Sequence, residues 1–100
     1  VEERAAALYN ADRYAEAVDA ALGLTFQTRR SRLYLAASLA ALGDLDGARK
    51  VITEALAATS DLNSRFVEDQ ELYRDPKVRE KLIRRLTEAG LPTAPGDQRR

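Results

Sequence analysis

LAALGDLDGARKVITEAL, Leu39 to Leu56, carries alanines and leucines at helical spacing that break once, at Gly43-Asp44, and then resume. Apolar side chains recurring every three or four residues describe one buried helix face. Leu35, Leu39 and Leu42 mark that face on the incoming helix, and Leu45, Ala48, Ile52, Ala55 and Leu56 mark it on the outgoing one. Gly43 stands where a helix C-cap takes a positive φ, and Asp44 or Asp46 can cap the helix that follows. The chain is therefore expected to fold back on itself here as a helical hairpin.

A weaker copy lies upstream. Ala5, Leu8 and Tyr9, then Ala17, Val18, Ala21 and Leu22, keep helical spacing on either side of Asn10-Ala11-Asp12-Arg13. Aligning Tyr9–Leu22 with Ala40–Thr53 sets Asp12 on Gly43, Tyr14 on Leu45 and Ala17 on Ala48, an offset of 31 residues. A period in this range predicts stacked helical hairpins. Between the pairs, GLTFQTRRS has turn-compatible Gly23 and Thr28, and TSDLNS after the second pair is the strongest loop signal. No segment alternates convincingly with the two-residue period of a strand. A last helix has Asp75 as N-cap, Pro76 at its first position, and an apolar stripe of Val78, Leu82 and Leu86 with Ile83 and Ala89. Gly90 and Pro92 end it. The expected architecture is all-α: stacked antiparallel hairpins over residues 1–92, with a flexible tail at 93–100. The last helix is expected to cap the open face of the second hairpin over Ile52 and Leu56, with Phe66 and Tyr73 filling the corner.

Composition narrows the function. A chain of 100 residues builds one small core, burying about 60–70% of its surface. At 45% apolar and 32% charged it is too apolar for a disordered chain, and no apolar run approaches the roughly 20 residues of a membrane span. The N-terminal VEERAAALYN has neither a basic leader nor a signal-peptide core, and cysteine is absent, which fits the cytoplasm. Methionine is absent too, so the chain is expected to be one module of a longer polypeptide.

With no histidine, no cysteine, no glycine-rich phosphate loop and no nucleophile elbow, most catalytic chemistry lacks its usual groups. No catalytic, cofactor or metal site is expected, and Glu68, Asp69 and Glu71 read as a solvated helix face. Lys and Arg equal Asp and Glu at 16 each, so no net field draws the chain to nucleic acid. Charge is nevertheless uneven: Arg29, Arg30 and Arg32 cluster mid-chain, and the segment from Lys77 onward is basic. On the last helix Lys77, Lys81 and Arg84 flank the apolar stripe, so their stems can pack while their charges stay wet.

Leu35, Ala36, Leu39, the turn Gly43-Asp44-Leu45, Ala48, Ile52 and Ala55 fall in an order and spacing that resembles the tetratricopeptide repeat. Departures are Arg32 where that family often has tryptophan, Ser60 where it often has proline, Arg4 and Ala21 at large apolar positions of the first copy, and a period about three short of the usual 34. The resemblance implies a groove built from the first helix of each pair. Carried over by alignment, its lining would be Glu2, Ala6, Tyr9, Asn10, Arg30, Leu33, Ala37, Ala40 and Ala41. Ala6 and Ala37 stand where the family's peptide-carboxylate clamp has asparagine, so a small, apolar groove for a partner helix is implied, one that could come from the same polypeptide. The tail adds Tyr73-Arg74-Asp75-Pro76 and Ala89-Gly90-Leu91-Pro92, which look like the closing segment of such domains in bacterial adenylate or guanylate cyclase-like proteins and winged-helix regulators.

The expected function is thus a non-enzymatic protein-interaction or self-association module, at the end of a bacterial cytoplasmic signalling protein. A homodimer through Val1, Ala5 and Leu8 is one form of it. The alternative is a nucleic-acid-associated domain using Arg29, Arg30, Arg32 and the basic last helix, whose affinity would fall steeply with salt.

Overall fold

The computed structural model describes residues 2–71 and 75–93 and holds six α-helices among them. These are α1 Glu2–Asn10, α2 Tyr14–Leu22, α3 Arg29–Ala41, α4 Leu45–Ala58, α5 Ser64–Gln70 and α6 Pro76–Glu88. No strand occurs among the described residues, and the fold is all-α.

The two hairpin turns match atom for atom at the expected offset. Arg13 N–H donates to Leu8 O and Asp44 N–H to Leu39 O, each at 2.9 Å, and Ala11→Ala7 (3.0 Å) is repeated by Leu42→Ser38 (3.1 Å). This six-to-one closure of a helix end requires one residue in the left-handed region. Gly43 supplies it at φ 90° and Asp12 at φ 62°. Aspartate tolerates that backbone because its short side chain bonds locally; here the Asp12 carboxylate accepts from the Tyr14 hydroxyl at 2.7 Å. The end of α6 uses the same closure, Leu91 N–H donating to Leu86 O at 2.9 Å around Gly90.

Helix starts follow equally local rules. Asp44 accepts from Gly47 N–H at 2.9 Å, and Asp75 accepts from Lys77 N–H at 2.8 Å with Pro76 behind it. Thr28 and Ser31 cap α3 reciprocally. Each cap satisfies an amide that the first turn leaves without a helical partner.

Helices α1 and α2 form one hairpin and α3 and α4 the next; α2 packs on α3, and α1 lies beside α3. Ala17 and Ala48, the aligned pair, are both buried, as are Ala5, Ala6, Ala36 and Ala37. Such small side chains let helix axes approach closely, while Leu35, Ile52 and Leu86 fill the space between them.

The last helix departs from expectation. It packs chiefly on α3 and α5 rather than over α4, and Gly90, just past its end, lies by Ile52, whose Cγ2 would be 3.9 Å from a Cβ there. The physical reason is its stripe: Leu82, Leu86 and Ala89 are buried, and the α3 face it meets, around Leu33, offers a place for them. Ser64 N–H, at the start of α5, donates to Pro92 O at 3.0 Å and ties down the chain beyond α6. Helix α5 forms from the segment read as a connection and a solvated helix face, with Phe66 partly buried against the core. Tyr73, Val1 and the tail from residue 94 lie outside the described residues. No helix among the described residues is long and apolar enough to cross a membrane.

Candidate functional site

Where α1, the start of α2, α3 and α6 come together, three tyrosines and two arginines gather. Tyr9 of α1 meets the ring of Tyr14 at 5.6 Å and that of Tyr34, on α3, at 5.5 Å, the second edge to face. This is the geometry that ring quadrupoles favour. One arginine stands over each end of the row: Arg30 lies 5.3 Å from the Tyr34 centroid, and Arg85 lies 5.5 Å from Tyr9 and 5.0 Å from Tyr14.

At the Arg30 end the charge is closed by the chain itself. Arg30 Nε and Nη2 donate to the two carboxylate oxygens of Glu71 at 3.0 Å each, a bidentate pair, and the Tyr34 hydroxyl donates to the same carboxylate. Arg30 Nη1 also reaches Glu3 at 2.5 Å. The Glu71 side chain is 2% exposed and that of Arg30 11%. Hydrogen bonding to Glu71 raises the Arg30 guanidinium above its ordinary value, overcoming the burial that would lower it. A cavity of about 10 Å³ remains beside this cluster, between Leu33, Phe66, Val67 and Leu82. That is room for a single water at most.

The Arg85 end is open. Arg85 Nη1 donates to the Tyr9 hydroxyl at 2.9 Å and to the Tyr14 hydroxyl at 3.2 Å. No carboxylate among the described residues lies within 4.0 Å of it. Burial would lower its guanidinium, yet the bonds it donates to Tyr14 and Tyr9 leave it raised on balance. Burial likewise pushes the Tyr9 hydroxyl up, against the pull of Arg85. A pocket of about 70 Å³ opens here, lined by Tyr9, Asn10, Asp12, Tyr14, Val78, Lys81 and Arg85.

The residues expected to line a groove distribute unevenly over this face. Ala6, Tyr9, Leu33 and Ala37 are buried, while Asn10, Arg30, Ala40 and Ala41 are half-buried, and the side chain of Glu2 is outside the description. Asn10 turns back on its own helix, its amide donating to Ala6 O at 2.9 Å. Helix α6 lies where an external helix was expected, with Leu82 lining the same small cavity as Leu33.

Three expectations are corrected. Glu71 does not join Glu68 and Asp69 on a solvated face, because Arg30 draws it under α3. Arg30 does not form an open basic cluster with Arg29 and Arg32; Arg29 instead stacks 5.1 Å over Phe66. Ala5 is buried, so it cannot carry the dimer face once expected near Val1 and Leu8. The exposed large apolar side chains lie elsewhere, chiefly Phe26 at 83% and Leu22 at 63% exposure. Neither Glu71 nor Arg85 had been singled out as a site residue. A glutamate at the end of an acidic run and one arginine of the Arg84-Arg85 pair look like surface until the helices are packed, and no spacing rule separates them from their neighbours.

Among the described residues no group of three acidic, histidine or cysteine side chains is arranged to hold a metal. No family model, curated protein or solved structure matches the chain.

Proposed function

We propose that the chain is a protein-interaction module, without catalysis of its own, that receives an amphipathic helix across its first-of-pair helices α1 and α3. The observation that supports this reading is the seat of α6. An amphipathic helix lies on α3, buries Leu82 and Leu86, and sends Arg85 across to Tyr9 of α1. In a helix-in-groove complex, apolar anchors one turn apart supply affinity and a polar contact sets register. Leu82, Leu86 and Arg85 fill those roles from within the chain, so a partner helix would compete with α6 for the same face. A tethered helix acts at an effective concentration in the millimolar range, which keeps weak competitors out. The setting that goes with this reading, a bacterial cytoplasmic signalling protein, rests on the tail resemblance alone.

The test weakens the tethered helix without removing it. In a Leu82→Ala/Leu86→Ala chain, a labelled peptide of residues 75–92 is expected to bind at micromolar concentration, while the unaltered chain excludes it. If the altered chain keeps its helical circular dichroism and still fails to take up the peptide, the reading is wrong. Hydrogen exchange on the unaltered chain provides a second check, since an exchangeable α6 must open more readily than α3 and α4.

A further inference from the structure

Each end of the tyrosine row pairs an arginine with tyrosine hydroxyls, and among the described residues a carboxylate reaches the arginine only at the Arg30 end. Tyr34 donates to Glu71, which also takes two bonds from Arg30. Tyr14 donates to Asp12 at 2.7 Å. Tyr9 is 4% exposed, accepts from Arg85, and donates to no acceptor among the described residues. Arg85 spends one nitrogen on the two hydroxyls and has no acidic partner among those residues. Lys81, one turn before Arg85 on α6, lines the same pocket, and no hydrogen bond or ion pair engages it among the described residues. The Tyr9 hydroxyl, the Arg85 guanidinium and Lys81 thus belong to the lining of one pocket of about 70 Å³.

We propose that this pocket is a carboxylate-binding site, in which a ligand carboxylate takes at Tyr9 and Arg85 the part that Glu71 plays at Tyr34 and Arg30. The planar fork of arginine suits a two-oxygen acceptor, and bonds to a charged acceptor are about twice as strong as neutral ones. The Asp12 carboxylate on the rim is occupied by Tyr14, and its charge is outnumbered by Lys81 and Arg85. Val78, 37% exposed, gives the rim one apolar contact for the ligand's carbon chain. The source is either a small free carboxylate or an acidic side chain of a partner polypeptide. The site stands whether or not α6 exchanges with another helix.

Titration of the full chain with acetate, with N-acetylglutamate amide and with inorganic phosphate, followed by nuclear magnetic resonance of the Tyr9 and Tyr14 rings and of Arg85 Nε–H, tests it. Acetate is expected to give saturable shifts confined to these residues at millimolar concentration. Tyr9→Phe and Lys81→Gln, which leave the helices packed, should each weaken binding several-fold. Tighter binding of the glutamate compound than of acetate assigns the site to a polypeptide side chain, and equal binding assigns it to a free carboxylate; both sustain the proposal. Shifts that stay linear, shifts unchanged in both variants, or phosphate binding tenfold tighter than acetate would overturn it.

Discussion

The Arg30 and Arg85 ends of the tyrosine row use the same parts to different effect. Both place a guanidinium about 5 Å from an aromatic ring, and both lie where α3 or α6 crosses a neighbour. At the first end Glu71 is sealed between Arg30 and Tyr34, so the interaction is internal to the fold. At the second, Arg85 meets only hydroxyls and a pocket. An ion pair taken out of water must be satisfied on both sides, whereas a half-exposed arginine tolerates a missing partner because water supplies it. The closed end is therefore expected to govern stability and the open end to govern binding.

The largest effect should come from Glu71→Ala, which takes from Arg30 its buried, bidentate partner and leaves it the exposed Glu3. Removing one partner of a buried pair costs about 3–5 kcal/mol, and the lower figure is expected here because Arg30 keeps Glu3 and some access to water. Urea unfolding should show it as a lower midpoint at constant slope. Replacing both partners, Arg30→Met with Glu71→Leu, should restore most of the loss, since an apolar pair of similar volume has no charge to desolvate. A double variant as unstable as the single one would mean that the loss is one of shape and not of charge.

The same one-atom change made at both ends sharpens the contrast. Tyr34→Phe removes a donor from a buried carboxylate and should cost about 1.5–3 kcal/mol, whereas Tyr9→Phe removes an acceptor from a half-exposed arginine and should cost about 0.5–1 kcal/mol. Equal losses would erase the distinction between the two ends.

The smallest effect is a dependence on alkaline pH. Burial holds the Tyr9 hydroxyl above its ordinary 10.0 in the folded chain, so the unfolded chain gives up this proton first. Above about pH 10 the unfolded state binds fewer protons, and stability falls with rising pH until the folded hydroxyl also ionises. Tyr9→Phe should flatten that part of the stability profile relative to the unaltered chain. An unchanged slope would show that Tyr9 does not carry it.

Much of the scaffold was legible because its signals are local. Gly43, Asp44, Asp75, Pro76 and Gly90 act within one helical turn of themselves, and each occupies the cap that its residue type favours. The offset of 31 was legible for a related reason. A hairpin turn closes through backbone bonds between residues five apart, so two copies of the pattern yield two copies of the bonds, and even Asp12 adopts the positive φ of its counterpart Gly43. The short helix α5 was legible only by its charged face, because just Phe66 and Val67 mark its buried side, too few for a period to show.

The candidate site was largely illegible. Arg30 and Glu71 are separated by 41 residues and Arg85 and Tyr9 by 76, distances over which periodicity carries no information. Tyr9 and Arg30 were singled out from the groove alignment, without the partners that give each its role.

By itself, then, the sequence determined that this chain is helical, where its hairpins turn, and which small residues let its helices touch, since these are matters of backbone closure and side-chain size within a few residues. Only the tertiary structure decided that α6 lies on α3 and that Glu71 is buried while Glu68 and Asp69 stay in water. It also decided that Arg85 meets two tyrosines and no carboxylate among the described residues. The stripe on α6 fits more than one apolar face, and a charged side chain is solvated or paired according to what the packing of distant segments brings beside it.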